Sequence, residues 1–425
     1  MRRWMLGVFA GLAVLALAAS AFADADWNLT GQGARALGMG GAFIGICDDA
    51  TALSWNPAGL AQLDRPELSG VFKLETHKNY YSPKSYTYDG TTYDLSSSTR
   101  SNTHFVVNFI SGAFPLKVAQ RNLTFAVAYQ QQLDSYFSSG DSTYKDEQTG
   151  GAYTFSPGLA YQIMPQLALG AAVNIWTGSA NEHYVTKPTA TLDYTRKTPY
   201  SGLNFLFGAH AKFKPVRLGV ILRTPATLKY HYDYSGTMPT GWLSRLPVSG
   251  ENKQKLPMMF GFGMAVDPTQ NFTISADVDI RPYSNMEVLD SADVKDTTEH
   301  FPSNTQIRLG AEYLLMLHQA IVPLRVGFRT DPKTYFGWVV KTDTVGGLIY
   351  RKYVHDDKGV TGVAFTFGTG VAVKHFELDG AFEFAHSKVP YVYDSYYTSV
   401  HNMSPSTLNW NASYIRWLMS AIFKF

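Results

Sequence analysis

The chain has 425 residues, of which 45% are hydrophobic, 14% aromatic and only 16% charged, and its formal net charge is +2. This near-neutral balance excludes the strongly basic surface that nucleic-acid binding needs, and the single cysteine, Cys47, excludes an intramolecular disulfide framework. Few charges together with 26 Tyr and 26 Phe are typical of proteins that contact a membrane interface.

The first 23 residues have the organisation of a secretory signal peptide. Arg2 and Arg3 precede an apolar run over residues 5–20, and Ala21-Phe22-Ala23 matches a small-x-small cleavage site. We therefore predict that residues 1–23 are removed; an uncleaved anchor helix is the alternative. Removal takes two basic residues and no acidic one, which leaves 34 of each sign and no net charge.

Residues 24–64 follow, with seven glycines between 31 and 59. Within them, Asp48-Asp49 is typical of a helix start and Asn56-Pro57 of a helix end, because proline disfavours helical geometry at the residue before it. The sequence therefore predicts a short helix that stops at a sharp bend. Asn56 is expected to cap that bend with its side chain.

From residue 66 onward apolar and polar residues alternate with a period of two, most clearly over 271–280. Such alternation predicts strands with one apolar and one polar face. Fourteen strands are predicted, over residues 66–80, 101–118, 122–137, 151–164, 166–185, 201–214, 216–234, 255–267, 270–285, 303–317, 320–330, 360–374, 375–388 and 411–425.

The predicted connections alternate strictly between short turns and long loops. The long loops cover residues 81–100, 138–150, 186–200, 235–254, 286–302, 331–359 and 389–410. Short periplasmic turns, long extracellular loops and an even strand count are the pattern of a transmembrane β-barrel, whereas a soluble sandwich has no reason to place every long loop at one end. The sequence therefore predicts an all-β, fourteen-stranded antiparallel transmembrane barrel over residues 65–425, with both termini in the periplasm.

Charges on the lipid-facing side of a barrel are costly, so the polar faces must point into the lumen. By this parity Arg308 lies with Glu312 on one strand, and Arg325 with Arg329 on the next. One hypothesis is that Arg308, Arg325 or Arg329 binds the carboxylate of an amphiphilic ligand. The competing interpretation is that they form ion pairs with Glu312 or Glu377.

A barrel of fourteen strands is too wide for its own side chains to fill. Residues 24–64 are the one sizeable segment outside the strands on the periplasmic side, and we expect them to form a hatch, or plug, inside the lumen with Asn56-Pro57-Ala58 near its axis. A periplasmic tail is the alternative.

Residues 33–68, "GARALGMGGAFIGICDDATALSWNPAGLAQLDRPEL", resemble the N-terminal hatch of the FadL family (OMPP1/FadL/TodX-like), the outer-membrane transporters of long-chain fatty acids and hydrocarbons. The resemblance continues through "NTHFVVNFISGAFPL" and "LPMMFGFGMAVDP" and covers nearly the whole mature chain. It implies a fourteen-stranded barrel, a hatch carrying the Asn56-Pro57-Ala58 motif, and apolar ligands that leave sideways through the wall. It also implies that Phe423 and Phe425 form a C-terminal signal for the barrel-assembly machinery.

We therefore expect a monomeric channel in the outer membrane of a Gram-negative cell, surrounded by its lipid, for passive uptake of hydrophobic or amphiphilic small molecules such as long-chain fatty acids. The "WNPAGLAQL" stretch is closer to distant branches of the family, one of which serves protein secretion, so a structural or secretion-partner role is the alternative. No catalytic, cofactor or metal motif is recognised, and no enzymatic activity or nucleic-acid partner is expected. The competing possibility of an enzyme rests only on the lumenal carboxylates.

Overall fold

A computed structural model of the protein describes residues 31–81, 85–88, 91–94, 98–140, 144–186, 192–237, 249–296, 300–345, 348–392 and 407–425. The predicted signal peptide, residues 1–23, and the first residues of the predicted hatch, 24–30, lie outside these ranges. The helices are short: α1 (Ala34–Gly38), α2 (Ala52–Trp55) and the 3-10 helices Pro57–Gln62 and Tyr283–Asn285. None of the helices in the described ranges is long and apolar enough to span a membrane.

Almost all the rest of the described chain is antiparallel strand. The strands are β1 (Glu67–Tyr81), β2 (Ser85–Tyr88), β3 (Thr91–Asp94), β4 (Ser98–Val118), β5 (Arg121–Asp134), β6 (Phe137–Gly140), β7 (Tyr144–Met164), β8 (Leu167–Thr186), β9 (Asp193–Phe213), β10 (Val216–Arg223), β11 (Ala226–Thr237), β12 (Ser249–Leu256), β13 (Met259–Thr269), β14 (Phe272–Arg281), β15 (Glu287–Leu289), β16 (Asn304–Met316), β17 (Ile321–Val345), β18 (Leu348–Val373), β19 (Phe376–Val392) and β20 (Thr407–Lys424).

These segments build fourteen spans of one closed sheet. The pairs β5/β6, β10/β11, β12/β13 and β14/β15 are each a single span with a brief interruption, and β2 and β3 form a separate hairpin. The ring closes because β1 pairs with β4 on one side and with β20 on the other, where Glu67 lies opposite Lys424. The predicted fourteen-stranded antiparallel barrel is confirmed.

The two faces of the wall differ in chemistry, as β14 illustrates. Ile274 and Ile280 are 48% and 43% exposed on the outside, whereas Asp277 between them is 1% exposed on the inside. Apolar residues outside and polar residues inside are the reverse of a soluble protein, and this arrangement suits a wall that is surrounded by lipid. The closed ring also leaves no unpaired strand edge, which a bilayer could not hydrate.

Several predicted loops are strands instead. The predicted loop 331–359 is built mainly of the outer parts of β17 and β18, whose pairing runs out to Val345 opposite Leu348. Likewise β7 begins at Tyr144 and β9 at Asp193, seven and eight residues before the predicted starts. These extensions carry many charged and polar residues, so their alternation in hydrophobicity is weak. Backbone pairing with the neighbouring strand holds them as sheet regardless.

The turns between strands define two ends of the barrel. The end at which β1 begins and β20 finishes has connections such as residues 119–120, 214–215 and 374–375, and is called the short-turn end. The opposite, long-loop end holds the connections predicted to be extracellular. Residues 31–64, called the N-terminal segment, enter the sheet at the short-turn end through Glu67.

The N-terminal segment contacts the wall on opposite sides of the ring. Helix α1 contacts β17, β18, β19 and β20, and the 3-10 helix Pro57–Gln62 contacts β4, β5, β7, β8 and β9. Its apolar side chains are buried, among them Met39, Phe43, Ile46, Leu53 and Leu60. The main apolar core of the protein therefore surrounds this segment.

Candidate functional site

The N-terminal segment and the wall pack backbone against backbone along β16, β17 and β18. Gly40 has a φ of +66°, and a Cβ there would lie 2.7 Å from the carbonyl oxygen of Leu309. A Cβ on Gly38 would lie 2.9 Å from the Cα of Gly368. Side chains larger than hydrogen do not fit at these contacts, so the glycine-rich composition of the segment follows from how closely it approaches the wall.

The Asn56-Pro57-Ala58 motif forms the predicted bend. The Asn56 side-chain oxygen accepts a hydrogen bond from the Ala58 N–H at 3.1 Å, which confirms the predicted cap. The Asn56 amide also donates to the carbonyls of Ile44, at 3.1 Å, and of Ala209 on β9, at 3.0 Å.

These contacts place the motif against the wall, at β8 and β9, and the expected position near the lumen axis is wrong. Asn56 is fully buried, and a Cβ on Gly208 would lie 3.0 Å from Pro57. The physical reason is that a buried amide needs hydrogen-bond partners, and the wall supplies a carbonyl where the axis would not.

Polar side chains of the wall bind the backbone of the N-terminal segment. Asp277 accepts from the N–H groups of Phe43 and Ile44 at 2.7 and 2.8 Å, and Ser275 donates to the Ala42 carbonyl at 2.7 Å. On other strands, His210, Thr366 and Ser420 bond to segment backbone groups in the same way. The segment is irregular, so these wall groups replace the bonds that a helix or sheet would have made internally.

A buried ion network joins α1 to β16, β17 and β19. Arg35 lies 3.0 Å from Glu312 and 2.5 Å from Asp48. Arg325 binds the same Glu312, at 2.6 Å, and Asp379, also at 2.6 Å. The sequence predicts this pairing of Arg325 with Glu312 as the alternative to binding a ligand carboxylate.

The charge of Arg35 controls the ionisation of Asp48 within the segment. Burial raises the pKa of Asp48, but the Arg35 guanidinium, aided by Arg217, outweighs it and holds the pKa below its ordinary value. For the neighbouring Asp49, burial dominates and raises the pKa. Arg35 therefore outweighs burial at Asp48 but not at Asp49.

The other two predicted arginines are also bound to acidic residues. Arg308 contacts Asp279 at 2.5 Å and lies 5.4 Å from the centre of the Trp55 ring, and Arg329 contacts Glu383 at 2.6 Å. The second predicted partner, Glu377, instead binds Lys424 at 2.9 Å. Recognition of a ligand carboxylate by Arg308, Arg325 or Arg329 stays a prediction.

On the opposite arc of the ring the buried face is apolar, which the sequence analysis did not identify. This lumenal apolar cluster lies toward the long-loop end, beyond the N-terminal segment. It consists of Leu133, Ala152, Trp176, Tyr200, Ala226, Leu228, Tyr230, Leu256, Met259, Tyr283 and Met286. Parity could have found part of it, because Trp176 shares the inward face with Asn174 and alternates with the exposed Ile175.

A row of tyrosines continues from this cluster toward the long-loop end. Tyr144, Tyr184 and Tyr194 stack with ring centres 6.0 and 5.5 Å apart, and Tyr234 follows at 5.7 Å. Aromatic rings carry large apolar faces and a polar hydroxyl, which suits them to a surface that meets both water and hydrocarbon.

The outer face of the wall has a cavity of about 930 Å³ that spans β14, β16–β20, β1 and β4. Leu324, Phe367, Trp417 and Met419 line it, and Gly380 forms a part of its surface where a Cβ would meet nothing within 4 Å. Gly368 also lines this cavity, and on the inside a Cβ on Gly38 would lie 2.9 Å from the Gly368 Cα. The wall is therefore only one backbone thick between the cavity and the segment.

Comparison with known proteins identifies related sequences and folds. The model of the family described as outer membrane protein transport protein (OMPP1/FadL/TodX) matches residues 10–334. No curated protein sequence gives a significant match.

Solved structures that share this fold include a FadL homologue and two toluene transporters. A FadL homologue from Pseudomonas aeruginosa superposes with a TM-score of 0.66 at 14% identity, covering 94% of this chain and 100% of that chain. The toluene transporter TodX from P. putida gives 0.59 at 15% identity, with 94% and 99% covered. The toluene transporter TbuX from Ralstonia pickettii gives 0.58 at 14% identity, with 94% and 100% covered.

Proposed function

Because this chain belongs to the OMPP1/FadL/TodX family of outer-membrane transport proteins, we propose that it is a channel for passive uptake of hydrophobic small molecules, long-chain fatty acids among them. The observation that carries the proposal is the lumenal apolar cluster. A lumen that served only water and ions would be polar throughout. Here eleven buried residues form an apolar cluster of hydrocarbon and aromatic side chains, separate from the core around the N-terminal segment.

The side chains of this cluster suit a ligand that binds by burying apolar surface rather than by hydrogen bonds. Hydrophobic binding depends on the apolar area removed from water, at about 25 cal/mol per Å². Met259 and Met286 add unbranched, adaptable side chains that can repack around ligands of different shape. Toluene and a fatty-acid chain are both apolar, so the cluster by itself favours hydrophobic ligands as a class and does not distinguish between these two.

The N-terminal segment acts in this proposal as the hatch, within a domain of residues 24–64 that the barrel of residues 65–425 encloses. Its contacts to both sides of the ring support the role. A segment without long helices, held by separate hydrogen bonds, can rearrange in small steps while the wall stays closed. A solute can then pass without a permanent water-filled pore.

The exit proposed for the solute is sideways, into the lipid, at the outer cavity. The thin wall at Gly368 and the open surface at Gly380 support this position. An apolar solute gains by entering hydrocarbon directly rather than water. The orientation that follows has both termini in the periplasm and the tyrosine row on the outer side. The protein is proposed to act as a monomer, with Phe423 and Phe425 serving as its assembly signal.

Substitution of Leu228 by asparagine tests the proposal. Leu228 is fully buried in the cluster, so a polar amide there is expected to weaken binding and uptake of toluene and of dodecanoate by proteoliposomes. The matched control is Val360→Asn, since Val360 is 5% exposed on β18 and lies outside the apolar clusters found in the described ranges. Equal uptake by both variants and the wild type would contradict the proposal. If the wild type binds neither compound, a structural or secretion-partner role is favoured instead.

A further inference from the structure

Basic residues gather on one part of the short-turn end. Arg65 precedes β1, Lys117 and Arg121 flank the turn between β4 and β5, and Lys374 lies in the turn between β18 and β19. These four residues are called the basic arc. Lys117 and Lys374 are exposed, and Arg65 and Arg121 are half-buried. None of the four forms an ion pair with a carboxylate of the described ranges, so their charges are available to a partner outside the chain.

The neighbouring acidic residues do not neutralise the basic arc. Glu377 and Glu67 both lie beside Lys424, at 2.9 and 3.8 Å. Asp64 is exposed and adds one negative charge next to Arg65 in the sequence. The four basic residues and Asp64 together leave an excess of three positive charges. This part of the rim therefore attracts anions.

The members of the basic arc come from three parts of the sequence and are joined by direct contacts. Arg65 donates a hydrogen bond from its Nη1 atom to the Lys374 carbonyl at 2.9 Å. Asn122, the register partner of Lys117, donates to the carbonyl of Leu63, two residues before Arg65, at 3.2 Å. The four side chains therefore belong to one continuous stretch of the rim.

The apolar outer surface of the barrel extends to the residues that adjoin the basic arc. Val118, the last residue of β4, is 45% exposed, Val373, the last of β18, is 44% exposed, and Phe425 is 71% exposed. Because lipid hydrocarbon covers such side chains, the turns beside them lie at the depth of the lipid headgroups. Lys and Arg suit that depth, since their apolar stems stay beside hydrocarbon while the charged ends reach the polar layer.

We propose that the basic arc is a binding site for the phosphate headgroups of anionic phospholipids in the leaflet at the short-turn end. Ammonium and guanidinium groups donate charge-assisted hydrogen bonds to phosphate oxygens, and clustered basic residues beside a membrane attract anionic lipids. A lipid reaches the arc along the apolar residues of the wall, whereas an acidic protein would approach from the water and leave that apolar surface unused. The inference depends on the place of the barrel in a membrane and not on the solute that the lumen carries.

The test compares dioleoylphosphatidylglycerol with dioleoylphosphatidylcholine, which have the same acyl chains and differ in headgroup charge. Microscale thermophoresis of the full-length protein in detergent, titrated with each lipid in mixed micelles, measures both affinities. Wild type is expected to bind phosphatidylglycerol more tightly than phosphatidylcholine.

The decisive variant combines Lys117→Gln, Arg121→Gln and Lys374→Gln, and keeps Arg65 because its side chain also bonds to the Lys374 carbonyl. Its affinity for phosphatidylglycerol is expected to fall about 10- to 100-fold, because three attractions to the phosphate are lost. Its affinity for phosphatidylcholine should stay within about twofold of wild type. Unchanged phosphatidylglycerol affinity in this variant overturns the inference.

The matched control removes three lysines that already have carboxylate partners, by combining Lys253→Gln, Lys255→Gln and Lys295→Gln. Lys253 binds Asp293 at 2.6 Å, and Lys255 and Lys295 bind Glu287 at 3.2 and 3.1 Å. This control loses the same number of positive charges and leaves the basic arc intact, so its affinity for phosphatidylglycerol should equal that of wild type. An equal loss in both triple variants overturns the inference, because net charge alone would then explain the binding. Equal affinity of wild type for the two lipids also overturns it and favours an acidic protein partner at this surface.

A single charge reversal and a salt titration decide if the triple variant does not yield a folded, heat-modifiable barrel. Lys374→Glu changes one exposed turn residue and should weaken binding of phosphatidylglycerol but not of phosphatidylcholine. For wild type, raising NaCl from about 0.05 to about 0.5 M shortens the range of electrostatic attraction about threefold and should weaken binding of phosphatidylglycerol only. Unchanged phosphatidylglycerol affinity in either measurement overturns the inference.

Discussion

The arc of wall from β16 to β20 and the arc from β7 to β13 follow the same alternation of inward and outward residues, yet their inner faces differ. The first arc carries the ion network of Arg325, Arg329, Glu312 and Asp379, and glycines that let the N-terminal segment touch its backbone. The second carries the lumenal apolar cluster. Both arcs therefore hold the N-terminal segment, the first through ion pairs and the second through β7, β8 and β9, but only the second carries the apolar cluster beyond it.

The largest expected effect comes from breaking the first arc at Glu312. Glu312 is 3% exposed and binds both Arg35 and Arg325, so Glu312→Gln leaves two buried guanidinium groups without this partner. Removing one member of a buried ion pair costs about 3–5 kcal/mol. A urea titration followed by tryptophan fluorescence should show a loss of that size.

The control for Glu312 is Glu287→Gln. Glu287 pairs with Lys255 and Lys295 in an exposed region, where solvent screens the charges. The unfolding midpoint of this variant should match wild type. An equally small change for Glu312→Gln would show that the network on the first arc is not what holds the segment.

The second prediction concerns the contact between the N-terminal segment and β9. Asn56→Ala removes the bonds to the Ile44 and Ala209 carbonyls and leaves the buried Ala58 N–H without its side-chain acceptor. Unsatisfied buried groups cost about 1–3 kcal/mol each, so the free energy of unfolding should fall by an amount of that order. Asn271→Ala, in a turn at the short-turn end, is the control and should unfold like wild type. An unchanged value for Asn56→Ala would refute the structural role of the motif.

The smallest effect is expected at the outer cavity. Gly380→Phe places a ring where a Cβ meets nothing within 4 Å, so the fold should tolerate it while the proposed exit is filled. Gly112→Phe is the matched control, because Gly112 also has open space around its Cβ and does not line the cavity. Transfer of toluene into proteoliposomes should slow severalfold for Gly380→Phe only. Identical transfer rates for the two variants would show that the solute does not leave through this cavity.

The number of strands could be predicted from the sequence because lipid imposes a strict period of two on each span. The lengths of the strands at the long-loop end could not be predicted from the sequence. Outside the lipid, β17 and β18 are held together by backbone pairing, which imposes no period of two on their side chains. Parity also predicted that Glu312 and Arg325 share an inner face, and they are register partners. Asp379 and Glu383 complete the network from β19, two strands away, and this depends on side-chain reach across the lumen rather than on spacing.

The inner apolar cluster was missed for a related reason. The rule that polar residues face the lumen holds for Asp277 and Glu383 but not for the whole ring. Trp176 and Leu228 break this rule, because both are apolar and buried in the lumenal apolar cluster. The contact of Asn56 with the wall could not be predicted from the sequence either, because its partner Ala209 is 153 residues away and supplies only a backbone carbonyl as the acceptor.

The central claim is that residues 31–60 close the barrel while the opposite arc receives the solute. Single-channel conductance in a planar bilayer tests it most directly, with a deletion of residues 31–60 compared against the intact protein. Deletion of residues 85–94, which removes the separate hairpin of β2 and β3, is the control for shortening the chain. The account predicts open, ion-conducting channels for the 31–60 deletion and little conductance for the other two proteins. Equal conductance from all three would contradict it.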